Sequence, residues 1–315
     1  MGIIALIVTY GERTNFLFQV IKRLEEENVE QLVIVVNGCS KATKKEIYSY
    51  LNGIKLKVHI IEHEENLGSA GGFSSGISFV KELRDYTRVL ILDDDNLIPN
   101  GLINALKFYQ LSEDEILYIS RKDRANLLKS VSDSNPFINI SSRNSCLGRD
   151  IFKKLITSYE VTNSTLVCAP YSGLYISKKI INICDLPSKD YYLYGDDYEF
   201  TYKLVTRYGA TIKVYSEKEI EDLETSFHLM NGSRKFLDNR YTMASIDRVY
   251  YSVRNQLFFE KLRVDNKFIY GLNLSLSIIA FCFMFLVRMD VKRLKVFLIA
   301  IYHGLIGING KYEKN

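Results

Sequence analysis

Two clusters of carboxylates, about one hundred residues apart, are where this chain could do chemistry. The first is Asp93-Asp94-Asp95, directly after the apolar run Val89-Leu90-Ile91-Leu92; the second is Asp196-Asp197 with Glu199. Three adjacent carboxylates repel one another and give up water reluctantly, so a positive group must offset them. Mg2+ and Mn2+ are natural candidates, because they prefer hard oxygen ligands and commonly join one or two carboxylates to substrate phosphates. A solvated acidic loop is the plain alternative for an isolated charge run. Position argues against it here: this run ends a buried strand, and open α/β sheets bind ligands at the carboxyl ends of their strands. In the second cluster Asp196 can serve as a helix cap. Asp197 is then left over, and a general base must point away from its own helix toward a substrate. His228 is the only histidine beyond both clusters that lies outside the apolar tail. A lone histidine is usually structural; the other role open to it is nitrogen ligand to the cation.

Three further segments have suitable residue types. Thr9-Tyr10-Gly11-Glu12-Arg13 follows the first apolar run and offers a hydroxyl, a permissive glycine and a guanidinium fork, a set that suits a nucleotide diphosphate. Asn37-Gly38 is a common turn dipeptide after the second run. Asn66-Leu67-Gly68-Ser69-Ala70-Gly71-Gly72-Phe73 brings three glycines to the start of a helix, where a ligand or another backbone can approach closely. Its spacing is neither that of a dinucleotide fingerprint nor that of a Walker loop, and a purely structural turn is an equally good reading.

The elements that must hold these residues alternate. Apolar runs predict strands at Ile3–Val8, Gln31–Val36, Lys57–Ile61 and Val89–Leu92. Helical spacing lies between them, at 15–27 (Phe16, Val20, Ile21 and Leu24 on one face), 41–51 and 70–83, with a further helix at 101–109. Strands separated by single helices mean βαβ units and a doubly wound, mostly parallel sheet flanked by helices. Beyond it we expect a strand at 116–120, a long loop over 123–149, a strand at 166–175, helices at 178–184 and 196–208, and a late strand at 211–215. The five cysteines are scattered without a Cys-x-x-Cys pair, as in a chain with reduced thiols and no zinc. The first apolar run is short and has no basic leader, so it reads as a strand and implies no secretion.

The tail differs in character. Phe268–Val287 is free of charge and, by length, could span a bilayer, lie on one, or pack as a buried helix. A second apolar stretch, Val296–Ile308, follows a basic patch of Arg288, Lys292, Arg293 and Lys295. Net charge is +4 overall, but residues 228–315 carry 14 Lys/Arg against 6 Asp/Glu. A basic, apolar tail points to an anionic membrane surface through residues 264–315, and no nucleic-acid-binding motif accompanies it. We therefore expect a catalytic domain over 1–230 and a C-terminal helical, apolar and basic extension over 231–315.

In their order along the chain these segments resemble the family-2 glycosyltransferases, whose fold is GT-A. The resemblance runs from Ile7-Val8-Thr9-Tyr10-Gly11-Glu12-Arg13 through Asn37-Gly38, Asn66–Phe73 and Asp93-Asp94-Asp95 to Ser172-Gly173-Leu174-Tyr175. It continues through Tyr194-Gly195-Asp196-Asp197-Tyr198-Glu199 and His228 to Arg254-Asn255. The triple aspartate is similar to that of the galactofuranosyltransferase-like and rhamnosyltransferase-like branches. The resemblance implies that Asp197 is the catalytic base and that Asp95 and His228 hold Mn2+ or Mg2+. It places Thr9, Tyr10, Glu12, Arg13, Asn37, Asn66, Gly71, Gly72, Asp93 and Asp94 around the nucleotide-sugar donor, with Asp93 toward the ribose. Gly173 and Asp196 would line the acceptor site. Val36 and Lys41 depart from the acidic residues common at their positions in relatives, so the nucleobase is open.

The activity this implies is inverting, metal-dependent transfer of a sugar to a hydroxyl of a growing, lipid-linked surface glycan. The donor would be UDP-galactofuranose or another UDP- or dTDP-sugar. The enzyme would be cytoplasmic and peripheral on the inner face of the membrane, and a homo-oligomer is allowed. Two other readings stay open: a nucleotidyltransferase with the same metal–carboxylate architecture, and a non-catalytic GT-A-like binding protein.

Overall fold

A computed structural model of the 315-residue chain describes residues 2–122, 144–147, 165–224 and 245–313. His228 and most of the expected 123–149 loop lie outside the described residues. The chain forms two compact units. One comprises residues 1–125, 164–189 and 196–226; the other comprises 126–163, 190–195 and 227–315.

The first unit is built on a nine-stranded sheet in the order β3-β2-β1-β4-β8-β6-β9-β5, with β7 paired to β9. Strands β1 (Ile3–Thr9) and β2 (Gln31–Asn37) are buried at every residue, as continuous apolar runs must be when both sheet faces are covered. Strand β3 (Lys57–His63) has no fully buried residue and closes one edge. Strand β4 (Arg88–Asp93) pairs with β1 on the other side. These four strands are parallel and connected by α1 (Thr14–Glu26), α2 (Lys41–Leu51) and α3 (Gly68–Glu82). Helix α1 buries Leu17, Val20, Ile21 and Leu24, so Leu17 rather than Phe16 begins its inner stripe. Phe16 instead lies against the Arg13 guanidinium, 5.4 Å from ring centre to charge centre.

Beyond β4 the sheet is mixed, where the sequence suggested a mostly parallel one. After β5 (Asn96–Leu97), α4 (Leu102–Phe108) and β6 (Glu115–Arg121) come β7 (Thr165–Leu166), β8 (Leu174–Ser177) and α5 (Lys178–Ile183). Strand β8 runs antiparallel to both β4 and β6, while β6 and β9 (Thr211–Asp222) are parallel. A strand's own apolar run does not encode its direction; the connection does. The single strand expected over 166–175 is two short ones. Pro170 cannot donate to a ladder, and Gly173 turns the chain at φ +96 in the left-handed region. Strand β9 runs seven residues past the expected Tyr215, because its charged second half, including Glu217, Lys218 and Glu219, gave no apolar signal. Helix α6 (Asp196–Thr206) completes the unit.

The second unit contains α7 (Ile246–Lys261), α8 (Lys267–Val287) and α9 (Val291–Ile306). Its core gathers Val249, Val253 and Leu257 of α7 with Phe281, Met284 and Phe285 of α8 and Phe297, Ala300 and Ile301 of α9. Gly304 lets α9 approach α7 closely, since a Cβ there would stand 2.7 Å from Leu257 Cδ1. Arg254 is fully buried and donates to the carbonyls of Gly310 and Tyr191, at 2.7 and 2.8 Å. Asn255 Nδ2 donates to the carbonyls of Tyr191, Leu193 and Tyr194 within 2.8 Å. These bonds hold Tyr192 and Tyr194 at positive φ, a conformation that costs non-glycine residues and persists only when neighbours enforce it.

Candidate functional site

The chain leaves β1 for β2 and β3 on one side and returns to β4 on the other, so the carboxyl ends of β1 and β4 flank a topological switch point. Ligands of open α/β sheets bind in the crevice that such a reversal opens. Thr9 ends β1 and Asp93 ends β4; Val8 and Asp93 are register partners. The residues of the Thr9–Arg13 turn and of the acidic run therefore meet in space.

Arg13 is the hub of this meeting. Its Nε donates to Asp94 Oδ1 at 2.9 Å, one terminal nitrogen to Asp95 Oδ2 at 2.7 Å and the other to Glu224 Oε2 at 2.6 Å. Burial opposes its charge, but Asp94 and Glu224 more than compensate and hold its pKa above the ordinary arginine value. Thr9 Oγ1 donates to the other Asp94 oxygen at 2.7 Å. The three aspartates thus separate. Asp94 is buried and spoken for by Thr9 and Arg13; burial, only partly offset by Arg13, pushes its pKa up to about 7. Asp95 is raised by burial and by the charge of Asp93. Asp93 keeps a side chain 41% exposed, with Arg121 NH1 3.5 Å away. Tyr10 and Glu12 are exposed on the turn, and the Arg13 charge lies 5.3 Å from the Tyr10 ring centre.

A second layer supports the acidic run, and most of it escaped the sequence reading. Arg121, at the end of β6, donates from one nitrogen to both oxygens of Asp222, at 2.6 and 2.5 Å. Asn96 Nδ2 reaches Asp222 at 2.5 Å and Asp95 Oδ1 at 3.0 Å, and its carbonyl accepts from Ser172 Oγ. Ser172 Oγ in turn accepts from the Asp93 backbone N–H at 3.2 Å. The Leu223 N–H donates to the Asp95 carbonyl at 2.8 Å. Arg121, Asp222 and Glu224 carry no local pattern that distinguishes them from surface charges. Only the adjacency of Asn96 to the aspartates, and of Ser172 to Gly173, could have marked the other two.

Ser172 belongs to a short segment that links this network to α6. Next to it, the Tyr171 ring lies tilted against Phe73 of α3 at 4.2 Å and 5.9 Å from Phe200 of α6. Thr201 Oγ1 exchanges hydrogen bonds with the Ala169 backbone N–H and carbonyl, both at 2.9 Å. Gly173 sits beneath β6, where a Cβ would stand 2.6 Å from the Ile119 carbonyl oxygen. At the start of α6, Asp196 is buried and accepts from Ser69 Oγ at 2.9 Å. Its second oxygen and the Tyr171 hydroxyl are both buried and have no other hydrogen-bond partner among the described residues. Burial, then the neighbouring Asp197, drives the Asp196 pKa well above its ordinary value. Asp197 is half-buried and accepts from the Tyr198 N–H at 2.8 Å. Glu199 pairs with Lys203 one turn on.

The glycine-rich segment serves packing in this structure. Asn37 donates to the Gly68 carbonyl at 2.9 Å and to Asn66 Oδ1 at 3.2 Å, and accepts from the Leu67 N–H at 2.9 Å. Both ends of its amide tie β2 to the turn before α3. Gly71 and Gly72 are buried in α3, and a Cβ at Gly72 would stand 2.6 Å from Val8 Cγ1.

Whether these residues suit a divalent cation can be judged from the donor set. Among the described residues no group of three or more His, Cys, Asp or Glu side chains is arranged to hold a metal. Mg2+-type sites, however, use one or two carboxylates and complete their shell with substrate phosphates and water. Asp93, Asp94, Asp95 and Glu224 face two guanidinium groups, those of Arg13 and Arg121, with Asp222 already bound to Arg121. Hard oxygen donors in excess of fixed positive charge fit a cation bound together with an anionic substrate.

Residues 4–140 match the family model described as Glycosyl transferase family 2, a stretch that runs from β1 past β6 and contains the first acidic run. The sheet is mixed and flanked by helices, with further helices toward the C-terminus. Among solved structures, the chain is similar to S. aureus TarS 1-349 in complex with UDP (16% identity, 87% of this chain and 71% of that one, TM-score 0.48). It is also similar to HddC from Yersinia pseudotuberculosis (14% identity, 71% and 94%, TM-score 0.40). A third is GalNAc-T7 with UDP, GalNAc and Mn2+ (12% identity, 81% and 48%, TM-score 0.47). No curated protein sequence matches the chain.

Proposed function

We propose that this protein is an inverting glycosyltransferase that moves a sugar from a nucleotide diphosphate to an acceptor hydroxyl. One observation carries the reading. Within the stretch that matches the glycosyl transferase family, the turn after β1 and the acidic run after β4 converge at the switch point of the sheet. Tyr10 and Glu12 are exposed on this turn and Asp93 is partly exposed; in this proposal they meet the nucleotide, Asp93 at the ribose, with Thr9 and Arg13 behind.

In this proposal Asp95, with His228 as nitrogen ligand, would hold Mn2+ or Mg2+, which would supply positive charge to the leaving group. Asp197 takes the proton of the acceptor hydroxyl. That oxygen forms a bond to the anomeric carbon as the bond from this carbon to the diphosphate oxygen breaks, and the configuration inverts. A single carboxylate suffices as base, unlike the flanking pair used in glycoside hydrolysis. Asp196, buried next to the base, holds its helix to α3 through Ser69. The donor we propose is UDP-galactofuranose or another UDP- or dTDP-sugar. The acceptor is a lipid-linked glycan met at the inner face of the membrane.

The test is nucleotide release. The purified chain is incubated with a panel of UDP- and dTDP-sugars with Mn2+, with EDTA, and with lipid-linked acceptors. Metal-dependent release of nucleoside diphosphate from one donor is expected, and it is lost in Asp95→Ala and Asp197→Ala. Release of pyrophosphate from a nucleoside triphosphate and sugar phosphate would favour a nucleotidyltransferase. No release from any donor would leave only a binding role.

A further inference from the structure

Helix α8 has two unlike faces. One is buried in its own unit and is held by polar bonds: Asn273 Nδ2 to the Asn144 carbonyl at 2.8 Å, Ser277 Oγ to the Cys146 carbonyl at 3.3 Å, and Tyr270 hydroxyl to Glu260 at 3.1 Å. The opposite face is a continuous exposed apolar stripe of Phe268, Leu272, Leu276, Ile279, Phe283 and Leu286, at steps of three and four residues. Phe268 is 74% exposed. The polar side chain beside this stripe, Ser275, turns its hydroxyl back to the Gly271 carbonyl at 2.9 Å. The stripe continues through the turn at Met289, 86% exposed, and onto α9 at Leu298, Tyr302 and Leu305.

We infer that this face is the surface by which the protein lies on a bilayer containing anionic phospholipid. A scatter of exposed apolar residues is ordinary, but a stripe along both helices of a hairpin marks an interaction surface. Its charge selects the partner. Between residues 267 and 306 the chain has Lys267, Arg288, Lys292, Arg293 and Lys295, and one carboxylate, Asp290, which already binds Arg293 at 2.5 Å. Lys295 lies three residues before Leu298 and seven before Tyr302, on the same exposed face of α9. A lysine there can bury its stem and raise its ammonium to headgroup phosphates. An apolar stripe with a basic margin is the pattern of an interfacial helix. A second copy of the chain would bring those basic residues together with no spare carboxylate on either hairpin to meet them.

The face lies on the bilayer and does not cross it. Helix α8 is long and apolar enough to cross one by length and composition. Its buried face, however, is bonded to Glu260 on α7, and α7 carries fully buried Arg254 and Glu260 and packs along α9. Hydrocarbon would not admit that charged companion.

Flotation of the full chain with vesicles tests this. Phosphatidylcholine vesicles are compared with vesicles that also contain phosphatidylglycerol, for wild type, Ile279→Ser/Phe283→Ser and Lys292→Ala/Lys295→Ala. Both double variants change exposed side chains, and their circular dichroism and Tm should match wild type. Binding that requires the anionic lipid, falls at least about tenfold in the apolar variant and weakens in the basic variant is expected. Equal binding by all three proteins, or binding to neither vesicle, overturns the inference. A wild-type dimer that becomes monomeric in the apolar variant overturns it in favour of a second copy. Retention in cell membranes after alkaline carbonate extraction overturns it in favour of a spanning helix. Vesicle binding needs no donor chemistry and nucleotide release in solution needs no vesicle, so this inference and the proposed activity fail separately.

Discussion

Arg13 Nε donates to Asp94 Oδ1 at 2.9 Å and so joins the turn after β1 to the acidic run after β4 across 81 residues of chain. The contact gives the middle aspartate a role distinct from its neighbours. Asp94 is a positioning residue: it fixes the guanidinium that also grips Asp95 and Glu224.

Removal of Asp94 should therefore act through the fold of the site. Asp94→Ala removes one of three carboxylate partners from a mostly buried guanidinium and the acceptor of a buried threonine hydroxyl, which should cost roughly 1–3 kcal/mol. Urea unfolding reads this directly, and a change below about 0.5 kcal/mol, the size of an ordinary surface substitution, would contradict the role. Donor KM should rise in the folded fraction.

Asp196 and Asp197 should part company on replacement by asparagine. Asp197→Asn removes the proposed base and should lower kcat by about 10^2–10^4-fold with the fold intact. Asp196 is buried and accepts from Ser69 Oγ, and burial disfavours its charged form, so the uncharged, equally sized amide of Asp196→Asn can keep that contact and activity should stay within about tenfold of wild type. Equal losses at the two positions would mean that both carboxylates act as anions on the substrate. Steady-state transfer assays beside circular dichroism separate the cases.

Gly173→Ala should be a damaging single-methyl change near the site. The residue has φ +96, and the added Cβ would lie 2.6 Å from the Ile119 backbone oxygen, which cannot swing aside. A loss of roughly 2–4 kcal/mol is expected from strain and overpacking together. A Tm equal to wild type would show that the β6–β8 contact can open without cost.

Glu260 predicts a pH dependence in the second unit. It accepts from the Leu147 N–H at 2.7 Å, Gln256 at 3.0 Å and Tyr270 at 3.1 Å, yet burial outweighs these bonds and raises its pKa. The folded state thus holds this proton more tightly than the unfolded chain. The contribution to stability is complete below about pH 4.3, the unfolded value, and is lost as pH rises through the raised folded pKa. Glu260→Gln should track wild type most closely near pH 4 and gain relative stability toward pH 8. A difference between the two proteins that stays constant in urea unfolding over that range would contradict the sign.

Much of this was legible in the chain before folding. The runs Ile3–Val8, Gln31–Val36 and Val89–Leu92 are apolar at every step or nearly so, and such runs can only be strands covered on both faces. The helical stripes between them leave few arrangements besides an α/β sheet. Carboxylates that end a buried strand must reach its edge, which places Asp93, Asp94 and Asp95 near a ligand crevice from sequence alone. Two apolar segments around a basic patch likewise announced a helical hairpin. Periodicity reports what each segment can bury; it does not report what comes to meet it. The antiparallel course of β8, the grip of Arg13 on Asp94 and Asp95, and the support from Asn96, Arg121, Ser172, Asp222 and Glu224 all join residues far apart in the chain. Asn37, Gly71 and Gly72 read as donor contacts in sequence, and the structure shows that they also tie α3 to the sheet, because a small or amide side chain suits either task. The three adjacent aspartates differ for the same reason: identical side chains acquire different burial and partners only when β1, β4, β6 and β9 converge.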